Sequence, residues 1–84
     1  MFNVEFSSNA KKFLRDAEKQ IAARILDCVD SLAKDPFPHD VKRVVNRKEK
    51  IFRVRVGKYR IQYCVLYEKN LIFVTDIDIR DRAY

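Results

Sequence analysis

The sequence predicts an α+β fold in which an N-terminal strand and a helical hairpin precede a three- to four-stranded antiparallel sheet. Hydrophobic residues follow a helical period in the first half of the chain and alternate in the second half. The only glycine stands between two alternating runs, as in a β-hairpin. With 84 residues the chain is long enough for one hydrophobic core, so we expect residues 1–84 to form a single domain.

The first half is predicted to contain one strand and two helices. Residues 2–6 alternate between apolar and polar side chains, and three good N-cap residues follow at positions 7–9. One continuous helix over residues 10–33 would be about 36 Å long, more than the roughly 31 Å diameter of a domain of this size. We therefore expect the helix to break near residues 16–18 and to end before the prolines of residues 35–38. The apolar stripe expected to face the core consists of Ala10, Phe13, Leu14, Ala17, Ile21, Ile25, Val29 and Leu32.

The second half is predicted to supply the antiparallel sheet. Residues 51–56 and 59–67 both alternate, and the glycine turn between them favours a β-hairpin. A turn at residues 68–70 leads to a last strand over residues 71–79, which is rich in β-branched and aromatic side chains. Residues 41–45 are predicted as a short edge strand.

The positive charge is concentrated in the second half of the chain. The net charge is −1 over residues 1–41 and +7 over residues 42–84, and residues 42–60 alone carry +8. A field of this density attracts polyanions, RNA or DNA before most proteins, although a solvated basic surface is the alternative. The cations of this stretch that we expect to bind RNA are Lys42, Arg43, Arg47, Lys48, Lys50 and Lys58.

Strand alternation predicts a cationic patch on one face of the sheet. Successive side chains of a strand point to opposite faces, so an apolar face would lie under the helices and a polar face would remain open. Asp76 and Asp78 would lie on that open face, where they either orient the arginines or neutralise them by ion pairing with Arg53 and Arg55. Guanidinium groups bind phosphate oxygens bidentately, so such a patch suits a phosphodiester. The arginines placed on the open face are Arg53, Arg55, Arg60 and Arg80.

The same alternation assigns the remaining strand residues to the apolar face. Tyr59, Tyr63 and Tyr67 are predicted to belong to the core rather than to stack on nucleic-acid bases. In the last strand the residues predicted to face the helices are Phe73, Thr75, Ile77 and Ile79.

Cysteine and histidine are too rare for several kinds of active site. Cys28 and Cys64 are too few for a disulfide framework or a zinc site, and His39, the only histidine, leaves no Cys–His nucleophile or histidine pair. We therefore expect no metal and no other cofactor, and we interpret His39 as a surface residue. The sequence has no apolar run long enough to span a membrane and no signal-peptide pattern, so we expect a cytoplasmic protein.

Three stretches resemble the RelE/ParE superfamily of type II toxins across essentially the whole chain. They are residues 35–44, with DPFP and VKRV, residues 52–63, FRVRVGKYRIQY, and residues 77–84, IDIRDRAY. The resemblance implies one of two activities. RelE-like members are endoribonucleases that cut mRNA in the ribosomal A site, whereas ParE-like members inhibit DNA gyrase. It also implies a RelB-like antitoxin as partner, with a toxin–antitoxin heterotetramer as one arrangement, and the ribosome and mRNA as targets.

The resemblance also implies which residues are catalytic. By position they are Arg53 and Arg55, Arg60 after the hairpin turn, Arg80 or Arg82 near the C-terminus, and Tyr84. The spacing of four residues to the terminal tyrosine favours Arg80, which leaves Arg82 as an RNA-binding residue.

The implied mechanism is metal-independent attack of an RNA 2′-hydroxyl on the adjacent phosphate. Arginines would stabilise the phosphorane, and Tyr84 would act as base or proton relay. The prototype has lysine at positions 53 and 55, and many relatives have histidine where this chain has Ile79. Guanidinium groups stay protonated, so the acid–base set is weak and the ribosome would supply much of the positioning. A gyrase inhibitor and an inactive binding protein remain alternatives.

Overall fold

The computed structural model describes residues 1–38, 41–44 and 50–79, and these contain the predicted helices and strands except residue 45 of the predicted edge strand. Residues Tyr67–Lys69 form a 3-10 turn. The strands and helices, in chain order, are β1 (Asn3–Phe6), α1 (Ser8–Asp16), α2 (Lys19–Lys34), β2 (Lys42–Val44), β3 (Ile51–Val56), β4 (Tyr59–Leu66) and β5 (Leu71–Ile79).

The five strands of the described residues form one mixed sheet with the order β1-β5-β4-β3-β2. Strands β2 to β5 are antiparallel, which confirms the predicted sheet. Strand β1 is the fifth strand of the sheet and runs parallel to β5. Their pairing extends from Asn3 and Leu71 to Phe6 and Val74. Alternation indicated that β1 is a strand but carried no information about its direction.

The two helices begin and break where the sequence predicts. Ser7 is the N-cap of α1, because its Oγ accepts a hydrogen bond of 3.1 Å from the N–H of Ala10. The same Oγ donates to the carbonyl of Thr75 at 2.7 Å, which fixes the start of α1 to β5. The break lies at Ala17 and Glu18, within the predicted interval. It keeps the longer helix, of 16 residues, at about 24 Å, which fits principal extents of 33 × 27 × 24 Å.

The hydrophobic core lies between the two helices and one face of the sheet. The helices contribute residues of the predicted apolar stripe, and strands β3 to β5 contribute the opposing layer. Phe13, Leu14 and Ile21 are partly buried and pack against this cluster. Its buried members are Ala10, Ile25, Val29, Leu32, Val54, Ile61, Tyr63, Ile72, Val74 and Ile77.

Aromatic residues attach the segment after α2 to the sheet. Tyr63 is fully buried, and its hydroxyl donates a hydrogen bond of 2.5 Å to the carbonyl of Pro36. The ring of Phe52 lies 4.9 Å from that of Phe37 and 6.0 Å from that of Tyr63. The prediction that Tyr63 is a core residue is confirmed. Tyr59 is partly buried and also packs against the core.

Tyr67 is an exception among the tyrosines that were assigned to the core. Strand β4 ends at Leu66, so Tyr67 opens the 3-10 turn rather than continuing the alternation. Its side chain is 64% exposed and contacts Phe2 edge to face. The turn ends at Asn70, which adopts the left-handed conformation with φ 52°.

A β-bulge changes the faces of the last strand. Gln62 pairs with Asp76 but Tyr63 pairs with Val74, so Thr75 is an extra residue in β5. N-terminal to the bulge, Ile72 and Val74 are fully buried in the core.

The prediction that Phe73 faces the helices is therefore wrong, because strict alternation does not survive the extra residue Thr75, which has no partner in β4. Phe73 instead pairs with Cys64, which follows core residue Tyr63 and so lies on the opposite face. C-terminal to the bulge, Ile77 is buried in the core as predicted, whereas Ile79 is 50% exposed.

Candidate functional site

A first row of charged residues crosses the sheet on the face away from the helices. Arg55 of β3 pairs with Arg60 of β4, and Arg60 pairs with Asp78 of β5. Residues directly opposite one another in antiparallel strands share a face, with adjacent strands about 4.8 Å apart. The row therefore places two arginines side by side and ends in a carboxylate.

A second row lies next to the first. Lys42 pairs with Arg53, Arg53 pairs with Gln62, and Gln62 pairs with Asp76. In both rows the cations occupy β2, β3 or β4 and the acidic residue occupies β5. The open face thus has a cationic side toward β2 and an acidic margin along β5.

Arg60 and Asp78 form a two-point ion pair. The Nε of Arg60 donates to Oδ1 of Asp78 at 3.2 Å, and Nη2 donates to Oδ2 at 3.0 Å. The Arg60 side chain is 12% exposed and that of Asp78 is 37% exposed. A guanidinium group held at two atoms has a fixed plane, so Arg60 is an oriented member of the patch.

Arg53 and Arg55 do not pair with the two acidic residues of β5. No ion pair joins either arginine to Asp76 or Asp78 within the ranges that the structure describes. The Oδ1 of Asp76 instead accepts a hydrogen bond of 3.0 Å from the N–H of Ile77. The alternative in which Arg53 and Arg55 serve only to neutralise these carboxylates is therefore wrong. Arg53 is half-buried and Arg55 is exposed.

The other predicted site residues divide into those the structure describes and those it does not. Lys42, Lys50 and Lys58 are exposed, and Lys58 lies in the turn between β3 and β4. Arg43 belongs to β2 and pairs with Phe52 along the backbone. Outside the described residues lie His39, Arg47, Lys48, Arg80, Arg82 and Tyr84.

The structure adds Arg24 of α2, which sequence reasoning did not single out. Gly57 has φ +60°, and a Cβ atom built there would lie 3.0 Å from Nη2 of Arg24. The guanidinium of Arg24 therefore lies against the β3–β4 turn. No sequence pattern indicated this position, because Arg24 lies on the exposed side of α2. Only the packing of α2 on the sheet brings its side chain to the β3–β4 turn.

Arg53, Arg55 and Arg60 of the described residues do not line the cavity that adjoins the α1–α2 corner. This cavity of about 480 Å³ lies between that corner and β5, and Phe13, Ile21, Tyr59 and Ile79 form its apolar lining. Ligand pockets for small molecules are concave and mostly apolar, whereas an open cationic face suits an extended polyanion.

The described residues also lack two other kinds of feature. Among them, no three or more His, Cys, Asp or Glu side chains are grouped so as to hold a metal ion. Neither helix in the described part of the chain combines the length and the hydropathy needed to cross a membrane.

Comparison with known proteins identifies the family. Residues 4–84 match the family model described as the ParE toxin of the type II toxin–antitoxin system parDE. The chain is 34% identical over 86 residues to the protein named "Putative toxin RelE1" of Methanocaldococcus jannaschii, covering 99% of this chain and 94% of that protein. The chain therefore belongs to the RelE/ParE superfamily of toxins of type II toxin–antitoxin systems.

Several of the solved structures that it resembles are RelE toxins. In the archaeal RelE–RelB complex from Pyrococcus horikoshii the similar chain has a TM-score of 0.82 and 27% identity, with 98% of each chain covered. The isolated RelE toxin of E. coli has a TM-score of 0.83 at 18% identity, with 99% of this chain and 88% of that chain covered, a likeness that concerns the fold. The chain is thus a RelE-like toxin, and the fold implied by the resemblance is confirmed.

Proposed function

We propose that this chain, as a single cytoplasmic toxin domain of residues 1–84, cuts mRNA in the ribosomal A site. The observation that carries the proposal is the arrangement of Arg53, Arg55 and Arg60 on one open face. Two of these arginines have no carboxylate partner among the described residues of β5, and the third is fixed in orientation by Asp78. Three guanidinium groups on neighbouring strands can surround one phosphodiester group.

The proposed reaction is attack of a 2′-hydroxyl on the adjacent phosphorus of the same RNA strand. The bond from O2′ to phosphorus forms, the bond from phosphorus to O5′ breaks, and the product ends in a 2′,3′-cyclic phosphate. The 2′-hydroxyl loses its proton and the leaving 5′-oxygen gains one. Negative charge accumulates on the phosphorane between these events, where Arg53, Arg55 and Arg60 stabilise it. Arg80 would add a fourth cation.

Proton transfer is the weaker part of this catalytic set. Arg53, Arg55 and Arg60 remain protonated at neutral pH, so none of them is an effective base. We assign the proton taken from the 2′-hydroxyl to Tyr84, directly or through a relay. With so weak an acid–base set, the ribosome must align the 2′-oxygen with the phosphate, and alignment alone can supply a large part of the rate. We therefore expect slow cleavage of free RNA and no requirement for a metal ion.

We further propose that an acidic RelB-like antitoxin binds the cationic face and blocks it. The related toxin of Pyrococcus horikoshii was solved as a complex with RelB, which supports this assignment. The charge of +7 over residues 42–84 favours an acidic partner, because complementary charge accelerates association and selects against basic partners. A heterotetramer of toxin and antitoxin is the arrangement that we expect.

Inhibition of DNA gyrase is the second candidate function. It is favoured by the family description, which names a ParE toxin. The three arginines of β3 and β4 favour mRNA cleavage instead, because the resemblance implies that ParE-like members lack the ribonuclease residues.

The two functions are separated by primer extension on a translated mRNA after induction of the toxin. We expect in-frame cuts with the wild type and a loss of about 10²- to 10³-fold with Arg60→Ala, the usual cost of removing one group that stabilises a developing oxyanion. Lys34→Ala is the control, because exposed Lys34 ends α2 in the helical layer and the substitution changes net charge by the same amount. Loss of DNA supercoiling without mRNA cuts would reject this proposal in favour of gyrase inhibition.

A further inference from the structure

We infer that Asp78 is a positioning residue that sets the orientation of the Arg60 guanidinium for phosphate binding. The inference deepens the proposed function and rests on it. Its basis is the two-point contact between Arg60 and Asp78, with distances of 3.2 Å and 3.0 Å.

The contact leaves part of Arg60 available for a ligand. Guanidinium carries five N–H donors, and the pair with Asp78 uses one on Nε and one on Nη2. The three other donors, both on Nη1 and one on Nη2, have no hydrogen-bond partner within the described residues. Asp78 therefore occupies one edge of the planar group and directs the adjoining edge toward a phosphate.

The neighbouring arginine makes this restraint necessary. Arg55 lies directly opposite Arg60 on β3, and like charges at such positions repel each other. Without a carboxylate on the other side, the Arg60 side chain would turn away from Arg55 and sample many rotamers. Asp78 lies on β5, on the far side of Arg60 from Arg55, and its attraction offsets the energetic cost of this repulsion and holds the side chain in one place.

The backbone also supports the assignment. Core residues Ile72 and Val74 precede the bulge, and strict alternation from them would direct residue 78 toward the helices. The extra residue, Thr75, reverses the faces and brings Asp78 to the side of Arg60. This local irregularity places a carboxylate next to a residue proposed to be catalytic.

Asp78→Asn and Asp76→Asn form a matched pair for testing the inference. Each variant removes one negative charge from β5, but among the described residues the Asp76 carboxylate binds the N–H of Ile77 and no arginine. Cleavage of ribosome-bound mRNA and affinity for a single-stranded RNA are both measured. We expect Asp78→Asn to cleave about 10- to 100-fold more slowly, the loss produced by misplacing a catalytic group by about 1 Å. We expect Asp76→Asn to cleave at close to the wild-type rate.

The affinity measurement distinguishes positioning from two other roles. A positioning role predicts slower cleavage with RNA affinity that is unchanged or higher, because a negative charge has been removed. Faster cleavage together with higher affinity would overturn the inference, since Asp78 would then compete with the RNA phosphate. Unchanged cleavage with Asp78→Asn would overturn it too.

A charge-exchanged variant, Arg60→Asp with Asp78→Arg, guards against an effect on folding alone. It retains an ion pair on the same two strands but moves the guanidinium by about 4.8 Å. We expect thermal stability near that of the wild type and cleavage as low as that of Arg60→Ala. Recovery of cleavage would show that only the ion pair matters and would overturn the inference.

Failure of the proposed function gives a different pattern. If the wild type itself makes no cut in ribosome-bound mRNA, the proposed activity is wrong and the positioning role is rejected with it. If the wild type cuts and Asp78→Asn cuts equally well, only the role of Asp78 is rejected.

The two-dimensional NMR signal of the Arg60 Nε–H group, assigned by its loss in Arg60→Lys, should shift in Asp78→Asn and not in Asp76→Asn.

Discussion

Replacing the cations of the open face should weaken the salt dependence of RNA binding by a calculable amount. Lys42, Arg53 and Arg55 share this face and lack a carboxylate partner among the described residues, whereas the charge of Arg60 is balanced by Asp78. Each cation that neutralises a phosphate of a single strand adds about 0.7 to the slope of log affinity against log salt. Three such contacts add about 2.1.

The difference becomes large over an accessible range of salt. Between about 50 mM and 200 mM salt, a slope difference of about 2.1 changes the ratio of the RNA affinities at the two salt concentrations roughly twentyfold. The wild type should therefore lose about twenty times more affinity over this range than the variant Lys42→Ala, Arg53→Ala, Arg55→Ala. Fluorescence anisotropy with a short labelled single-stranded RNA at several KCl concentrations measures both slopes.

A second triple variant controls for net charge. Lys11→Ala, Lys19→Ala and Lys34→Ala remove three exposed cations from the helices, on the side of the sheet away from the patch. We expect this variant to keep nearly the whole wild-type slope. Equal slopes for the wild type and the first variant, or an equal loss in the helix variant, would refute an RNA-binding role for the face.

Two predictions concern the fold that supports the site. Tyr63→Phe removes the hydrogen bond from the buried hydroxyl to the carbonyl of Pro36, and should lower the free energy of unfolding by about 1 kcal/mol and Tm by about 4–8 °C. An unchanged melting curve would show that the bond contributes nothing. Gly57→Ala places a side chain at φ +60° and should cost about 1–2 kcal/mol in chemical denaturation. The same loss is expected in an Arg24→Ala background if backbone conformation, rather than contact with the guanidinium, is the cause.

Much of the fold could be predicted because local sequence signals agreed with one another. The helical stripe, the cap at Ser7, the break at Ala17 and the glycine turn each depend on residues close in sequence. Arg53, Arg55 and Arg60 lie on the expected face because β3 and β4 are regular where these residues occur.

The errors arose where a non-local feature overrides alternation. A one-residue bulge depends on how β4 and β5 pair, so Phe73 was assigned to the wrong face. The cross-strand partner of Asp78 could not be predicted for the same reason. Alternation placed Asp78 and Arg60 on one face, but only the register shows that Asp78 stands opposite Arg60 rather than Arg53 or Arg55.

Strand β5 also determines when the chain can acquire its native structure. It is the sheet neighbour of β1 and of β4, so the N-terminal strand has to wait for residues 71–79 before it can pair. Closing a loop of this length before any gain from pairing is a slow step in folding. Asp78 belongs to the same strand, so the Arg60 pair forms only after β5 has paired with β4. Pairing of β1 and orientation of the proposed catalytic arginine both depend on β5, so a chain synthesised only as far as residue 70 has neither.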